Sequence, residues 1–158
     1  MKEIKAPNYI PPHELNTIFL AGTIDQGNSE DWQARMKDFF ADWDVTLLNP
    51  RREAWDATWP NDVSFPPFRR QVEWELEALE KAEFRIFVFL ENSKSPITLL
   101  ELGKFLGRPG VVMCPKGFYR RGNVEMVCHR YFMPLTESME DLFDFLTCRL
   151  DPVMRGGA

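Results

Sequence analysis

Long apolar runs are missing from this chain. The longest, Ile86 to Leu90, has five residues, against the roughly 20 that a bilayer-spanning helix requires. No transmembrane helix and no membrane partner are expected. Cysteine and histidine are scarce: three Cys (114, 128, 148) and two His (13, 129), with no C-x-x-C and no ligand-like histidine spacing. That argues against a zinc site and against a disulfide framework, so no metal is expected. Positive charge is in deficit, with 19 Lys and Arg against 24 Asp and Glu, a net −5. Such a chain has no electrostatic footprint for a phosphate backbone, and nucleic-acid polymers are not expected partners. G-x-S-x-G, the Walker motif and G-x-G-x-x-G are all absent, so there is no nucleophile elbow and no dinucleotide or triphosphate loop. No cofactor is expected. The first eight residues, MKEIKAPN, carry no apolar secretory stretch, which makes the cytoplasm the expected compartment.

What is present suffices for a core. At 158 residues, with 44% hydrophobic and 13% aromatic side chains, one domain spanning 1–158 is expected. Strand-like and helix-like patterns alternate, which argues for β-α-β units and a doubly wound, flavodoxin-like or Rossmann-like α/β fold. About five parallel strands with helices on both faces are expected. Residues 1–16, with three prolines, read as an irregular arm. A buried strand over Thr17 to Ala21 ends at Gly22. Asn28-Ser29-Glu30-Asp31 has capping chemistry before a helix whose stripe is Trp32, Met36, Phe39, Phe40 and Trp43. Val45 to Leu48 is a second strand. Residues 51–67 read as a long loop with Trp55 and Trp59, either a lid or a surface excursion. A helix over 68–82 leads to the central strand 84–90. Ser95-Pro96 then resembles an N-cap and first helical position for a helix to Leu106. A strand over 111–114, a short one over 131–135, a helix over 138–150 and a fraying tail 151–158 complete the reading. The loops after the strands, 22–28, 49–67, 91–96 and 115–122, fall on one edge of the sheet and hold the candidate site.

Two carboxylates stand where solvated charge is out of place. In the 68–82 helix, Glu75 interrupts a stripe of Phe68, Val72, Leu79 and Ala82 expected to face the core, whereas Glu73, Glu77 and Glu80 lie on other faces. Desolvation would raise the Glu75 pKa and suit it to general acid work; the alternatives are a carboxylate that snorkels at the stripe's edge or one that pairs with an arginine. In ITLLELGKFL (97–106), Leu99, Leu102, Gly103 and Leu106 face one way, and Gly103 is expected to let helix and sheet approach. Glu101 points nearly opposite, beside Ile97 and Leu100. Either this second face is solvent-exposed, or a lid or second subunit covers it and places Glu101 in a crevice. Two carboxylates in one crevice are the minimum equipment for glycosyl transfer. Gly22, lacking a side chain, would let a ligand approach the 21–23 backbone.

Four segments carry a family resemblance: IFLAGTI at 18–24, LLNPRR at 47–52, the WELEALEKAE helix before an apolar strand, and SPITLLELG at 95–103. The chain resembles the nucleoside 2-deoxyribosyltransferase family, in its divergent LAG-containing branch, over about residues 17–130. The resemblance implies exchange of the base on a 2-deoxyribonucleoside through a covalent deoxyribosyl-enzyme intermediate, with nucleosides and free bases as the small-molecule partners. It makes Glu101 the nucleophile and Glu75 the acid. Ala21, Gly22, Thr23 and Asn49 then line the nucleoside pocket, with Ser95 in the turn before the nucleophile helix. That turn, ENSKSP, lacks the Asp that better-known members carry. The family completes its pocket from a neighbouring subunit, which implies a homo-oligomer, a dimer or a multiple of dimers; Asn123 in the Arg120-Arg121-Gly122-Asn123 segment is the candidate for that contribution. Serine-rich turns also occur in related N-glycosidases of deoxynucleoside 5-phosphates, so hydrolysis is the alternative activity, and a non-catalytic nucleotide-binding module is the other alternative.

Overall fold

The computed structural model describes residues 1–24, 31–52, 56 and 58–154, the last four as backbone. Expectations placed on Asn28, Ser29, Glu30, Trp55 and the tail from Arg155 lie outside the described residues. Among them the chain forms β1 (Lys2–Lys5), β2 (Thr17–Gly22), α1 (Trp32–Phe39), β3 (Thr46–Asn49), α2 (Pro66–Lys81) and β4 (Phe84–Val88). There follow α3 (Pro96–Phe105), β5 (Gly110–Met113), α4 (Arg121–Arg130), β6 (Leu135–Thr136) and α5 (Met139–Met154).

The six strands make one parallel sheet in the order β1-β3-β2-β4-β5-β6. Without the edge strand β1 this is the 2-1-3-4-5 order of flavodoxin-like sheets, whose switch point lies between β2 and β4. Those two strands pair from Ile18 with Phe84 to Gly22 with Val88. Their side chains alternate between the two faces, as the two-residue period of a strand requires. Phe19, Ala21, Phe87 and Phe89 join a core with Trp74, Ala78, Leu102, Phe105 and Val124 of α2, α3 and α4. Ile18, Leu20, Ile86 and Val88 join the opposite core, with Trp32 and Met36 of α1 and Leu142 and Leu146 of α5. The expected stripe on α1 forms: Trp32, Met36, Phe40 and Trp43 are buried, and Phe39 stacks on Phe143 of α5 at 4.6 Å.

Several expectations are corrected. The strand count is six, because the segment taken as an irregular arm supplies β1. Glu3 pairs with Leu47 and Ile4 with Leu48, and only Ile4 packs into a core. An edge strand covered on one face needs no more than that. The 68–82 helix starts earlier, at Pro66; two prolines are favourable in a first turn whose N–H groups have no helical partner. The segment 115–122 does not continue as loop but leads into α4, anchored by Val124 and Cys128. β6 lies at 135–136 rather than 131–135. α5 runs on to Met154 rather than fraying after Leu150; the first glycine that favours a stop, Gly156, lies beyond it. No helix among the described residues is long and apolar enough to cross a membrane.

Candidate functional site

A cleft of about 1410 Å³ opens at the carboxyl ends of β2, β3 and β4, bounded by α1, α2 and α3. Ala21, Gly22, Thr23, Asn49, Glu75, Ser95 and Glu101 all line it. Asn123 does not: it sits exposed on α4 and is absent from the lining of its own chain's cleft.

The floor is built around Gly22. A Cβ there would lie 2.6 Å from the Trp32 ring and 2.6 Å from the Val88 carbonyl oxygen. The missing side chain therefore makes room for Trp32 and β4, a requirement the sequence did not show. Trp32 Nε1 donates to the Thr23 carbonyl at 3.0 Å, and Thr23 N donates to Val88 O at 3.1 Å. These bonds hold Thr23 Oγ1 at 2.9 Å from Ser93 Oγ and 2.5 Å from Ser95 Oγ. The two serine hydroxyls are 2.8 Å apart, and Ser93 Oγ donates to Leu90 O at 2.9 Å. Ser95 occupies the N-cap position of α3, as expected, but with φ +44 and no side-chain capping bond. This strained left-handed backbone turns its hydroxyl toward Thr23 instead of its own helix. Ser93 and Ser95 thus tie the turn after β4 to the end of β2, across the switch point.

On α2 Trp74, Ala78 and Leu79 face the core, while Phe68, Gln71, Val72 and Glu75 line the cleft. The stripe holding Glu75 is real, but its first half faces the cleft and not the core. Glu73, Glu77 and Glu80 are exposed and paired with Arg69, Lys81 and Lys104. On α3, Thr98, Leu102 and Phe105 are buried, with Leu99 and Leu106 packed against the same core. Gly103 is exposed, and a Cβ on it would meet nothing within 4 Å, so it permits no close approach to the sheet. Glu101 is half-buried. Ile97 and Leu100 beside it are 57% and 70% exposed.

Burial and the nearby Glu75 charge push Glu101 up to about 8. Burial also pushes Glu75 up, while a hydrogen bond from Gln71 pulls it partly back. Two carboxyls that feel each other's charge do not ionise independently, and a charge on Glu75 keeps the proton on Glu101. Several other charges of the cleft have partners of their own: Lys37 with Glu3 and Arg51 with Asp31, both at 2.9 Å, and Arg52 over the Trp59 ring at 5.0 Å. Asn49 is held from both sides, Nδ2 donating to Glu3 at 2.9 Å and Oδ1 accepting from Arg51 N at 3.0 Å. Among the described residues no group of three His, Cys, Asp or Glu side chains is arranged to hold a metal ion.

Two functional-looking side chains have no counterpart in the sequence reading. Gln33 on α1 and Gln71 on α2 are 2% and 3% exposed and both line the cleft. Gln33 Oε1 accepts from Arg51 at 3.4 Å, and Gln71 Nε2 donates to the Pro50 carbonyl at 2.9 Å. The two amides thus approach the same loop after β3. The only sequence signal was the i, i+4 spacing of Gln71 and Glu75.

Residues 16–118 match the family model described as nucleoside 2-deoxyribosyltransferase like, which is more than half of the chain. No curated protein matches the sequence. Among solved structures, the crystal structure of a conserved protein from Enterococcus faecalis V583 is similar, with a TM-score of 0.57 and 12% identity. The match covers 85% of this chain and 99% of that chain. At that identity the likeness is one of fold.

Proposed function

Since the chain belongs to the nucleoside 2-deoxyribosyltransferase-like family, we propose that it exchanges the base of a 2-deoxyribonucleoside through a covalent deoxyribosyl ester on Glu101. The observation that carries this reading is the pair of half-buried carboxyls, Glu75 and Glu101, brought from two helices into one cleft. In the resting pair the proton rests mainly on Glu101, whose pKa is pushed up to about 8. As C1′ becomes cationic, the negative charge is worth most beside it, so the proton passes to Glu75. A Glu101 oxygen then bonds to C1′ while the electron pair of the C1′–N bond goes to the base. The base takes the proton from Glu75, which is left as a carboxylate. A second base reverses these steps, and two inversions give net retention.

A second reading has its own support. The hydroxyls of Thr23, Ser93 and Ser95 cluster at the N-terminus of α3 in the same cleft, a place suited to an anion such as a 5-phosphate. On that reading water is the acceptor and the enzyme is an N-glycosidase. Incubation with 2-deoxyadenosine and cytosine, followed by chromatography, separates the readings. A new deoxynucleoside supports transfer, and free sugar supports hydrolysis. No reaction with either the nucleoside or its 5-phosphate would leave a nucleotide-binding module.

A further inference from the structure

Gln71 is a buried side chain with one atom left over. Its Nε2 donates twice, to Pro50 O at 2.9 Å and to Glu75 Oε1 at 2.9 Å. Its Oε1 is buried without a hydrogen-bond partner among the described residues. A carbonyl only accepts, so the Pro50 oxygen dictates that the nitrogen, and not the oxygen, faces the loop and Glu75. A buried acceptor without a donor is costly, yet the amide is held in the one orientation that aims its N–H at the carboxyl. The sheet fixes the anchor in turn, since Pro50 directly follows the last residue of β3.

An amide N–H on one carboxyl oxygen has a defined consequence. When the carboxyl is protonated, the oxygen receiving the N–H is the carbonyl oxygen, and the proton sits on the other. We propose that Gln71 is a positioning residue for the acid: by occupying Glu75 Oε1 it leaves Oε2 as the oxygen that receives the proton from Glu101 and delivers it to the departing base. This rests on the transfer reading above and adds to it the residue that directs the proton. The same bond favours the charged form of Glu75, so it makes Glu75 a stronger acid than burial alone would leave it. The charged groups lining the same cleft are Glu3 and Lys5 on β1, Asp31 and Lys37 on α1, Arg51 and Arg52 after β3, and Lys94, Glu101 and Lys104 around α3. Of these, Glu101 is the one that feels the Glu75 charge, which raises it.

Gln71→Asn tests this, because the shorter amide does not span both Pro50 O and Glu75. The first measurement is the titration of Glu75 by NMR of the full chain with 13C-labelled glutamate carboxyls, assigned by comparison with Glu75→Gln. The midpoint is expected to move up in Gln71→Asn, since the bond that lowers it is gone. The second is kcat/KM for a natural deoxynucleoside and for one with an activated leaving group that needs no proton. The natural substrate is expected to slow by about 10-fold or more and the activated one by less than about 2-fold. A midpoint that stays in place, or an equal loss on both substrates, overturns the proposal and leaves Gln71 a packing residue. Where Gln71→Asn does not fold, Gln71→Met, which keeps the length and the apolar stem, replaces it in both measurements. A wild-type protein that exchanges no base overturns the transfer reading, and the titration then decides on Gln71 without it.

Discussion

Glu101 and Glu75 interrupt apolar surfaces that would pack more simply without them, and three outcomes follow at the scale of these side chains. Glu101→Ala is expected to lower kcat for base exchange to less than about a hundredth of wild type, since it removes the atom proposed to bond to C1′. Its circular dichroism should match wild type, because Glu101 lies off the buried face of Thr98, Leu102 and Phe105. The pH profile of kcat/KM should fall on the alkaline side with a midpoint near 8, where the pair loses the proton it passes to the base. A raised carboxyl is also a stability statement. Glu101 rises from 4.5 to about 8, so its contribution is fully present below pH 4.5 and is lost as pH rises through about 8. Glu101→Gln, uncharged throughout, should melt with wild type at pH 4. At pH 8.5 it should be more stable by about 1–2 kcal/mol, a value discounted for the group's partial exposure, or roughly 2–8 °C in Tm. Scanning calorimetry at the two pH values measures both.

At the scale of elements, the close approach of α1 to the sheet depends on Gly22. Trp32 yields only by leaving a packed core, and the Val88 carbonyl belongs to the central strand. Gly22→Ala is therefore expected to cost about 1–3 kcal/mol in urea denaturation and to weaken substrate binding by displacing Thr23. The sequence made part of this legible. Continuous apolar runs mark the buried strands and 3.6-residue stripes the helices; Glu75 within one stripe and Glu101 on a second apolar face stand out against them, and Thr23 and Ser95 fall in the loops that follow β2 and β4. The signal failed where an element has too few apolar residues to show a period. β1 packs one residue, Ile4, and α4 begins with the helix-poor Gly122 and Asn123. It also failed where a role depends on what lies across space. Gly22 and Gly103 look alike as residues, yet one faces an indole and the other open solvent. Gln71 is one polar residue among many on α2 until Pro50 comes to lie beside it.

The cleft joins parts of the chain that only the whole fold brings together, from Glu3 on the edge strand to Glu101 on α3. Glu3 occupies a particular place in that assembly. Its Oε1 accepts from Asn49 and its Oε2 pairs with Lys37, so one edge strand orients a side chain in the cleft and ties down α1. The edge strand thereby reaches the cleft as well as completing the sheet. Glu3→Ala removes both contacts but leaves the parallel pairing of Ile4 with Leu48, so its cost to the unliganded fold should be about 1–3 kcal/mol, the range for leaving a partly buried polar group without its partner. Ligand binding should suffer too. A ligand that binds only the folded state stabilises it by RT ln(1 + [L]/Kd), about 2.7 kcal/mol at 100 times Kd. Wild-type Tm is therefore expected to climb as 2-deoxyadenosine is raised through its Kd, and Glu3→Ala should need several-fold more nucleoside for the same climb. Equal ligand-induced shifts in the two proteins would show that Asn49 does not need Glu3 to meet the nucleoside, and would return β1 to a purely architectural role.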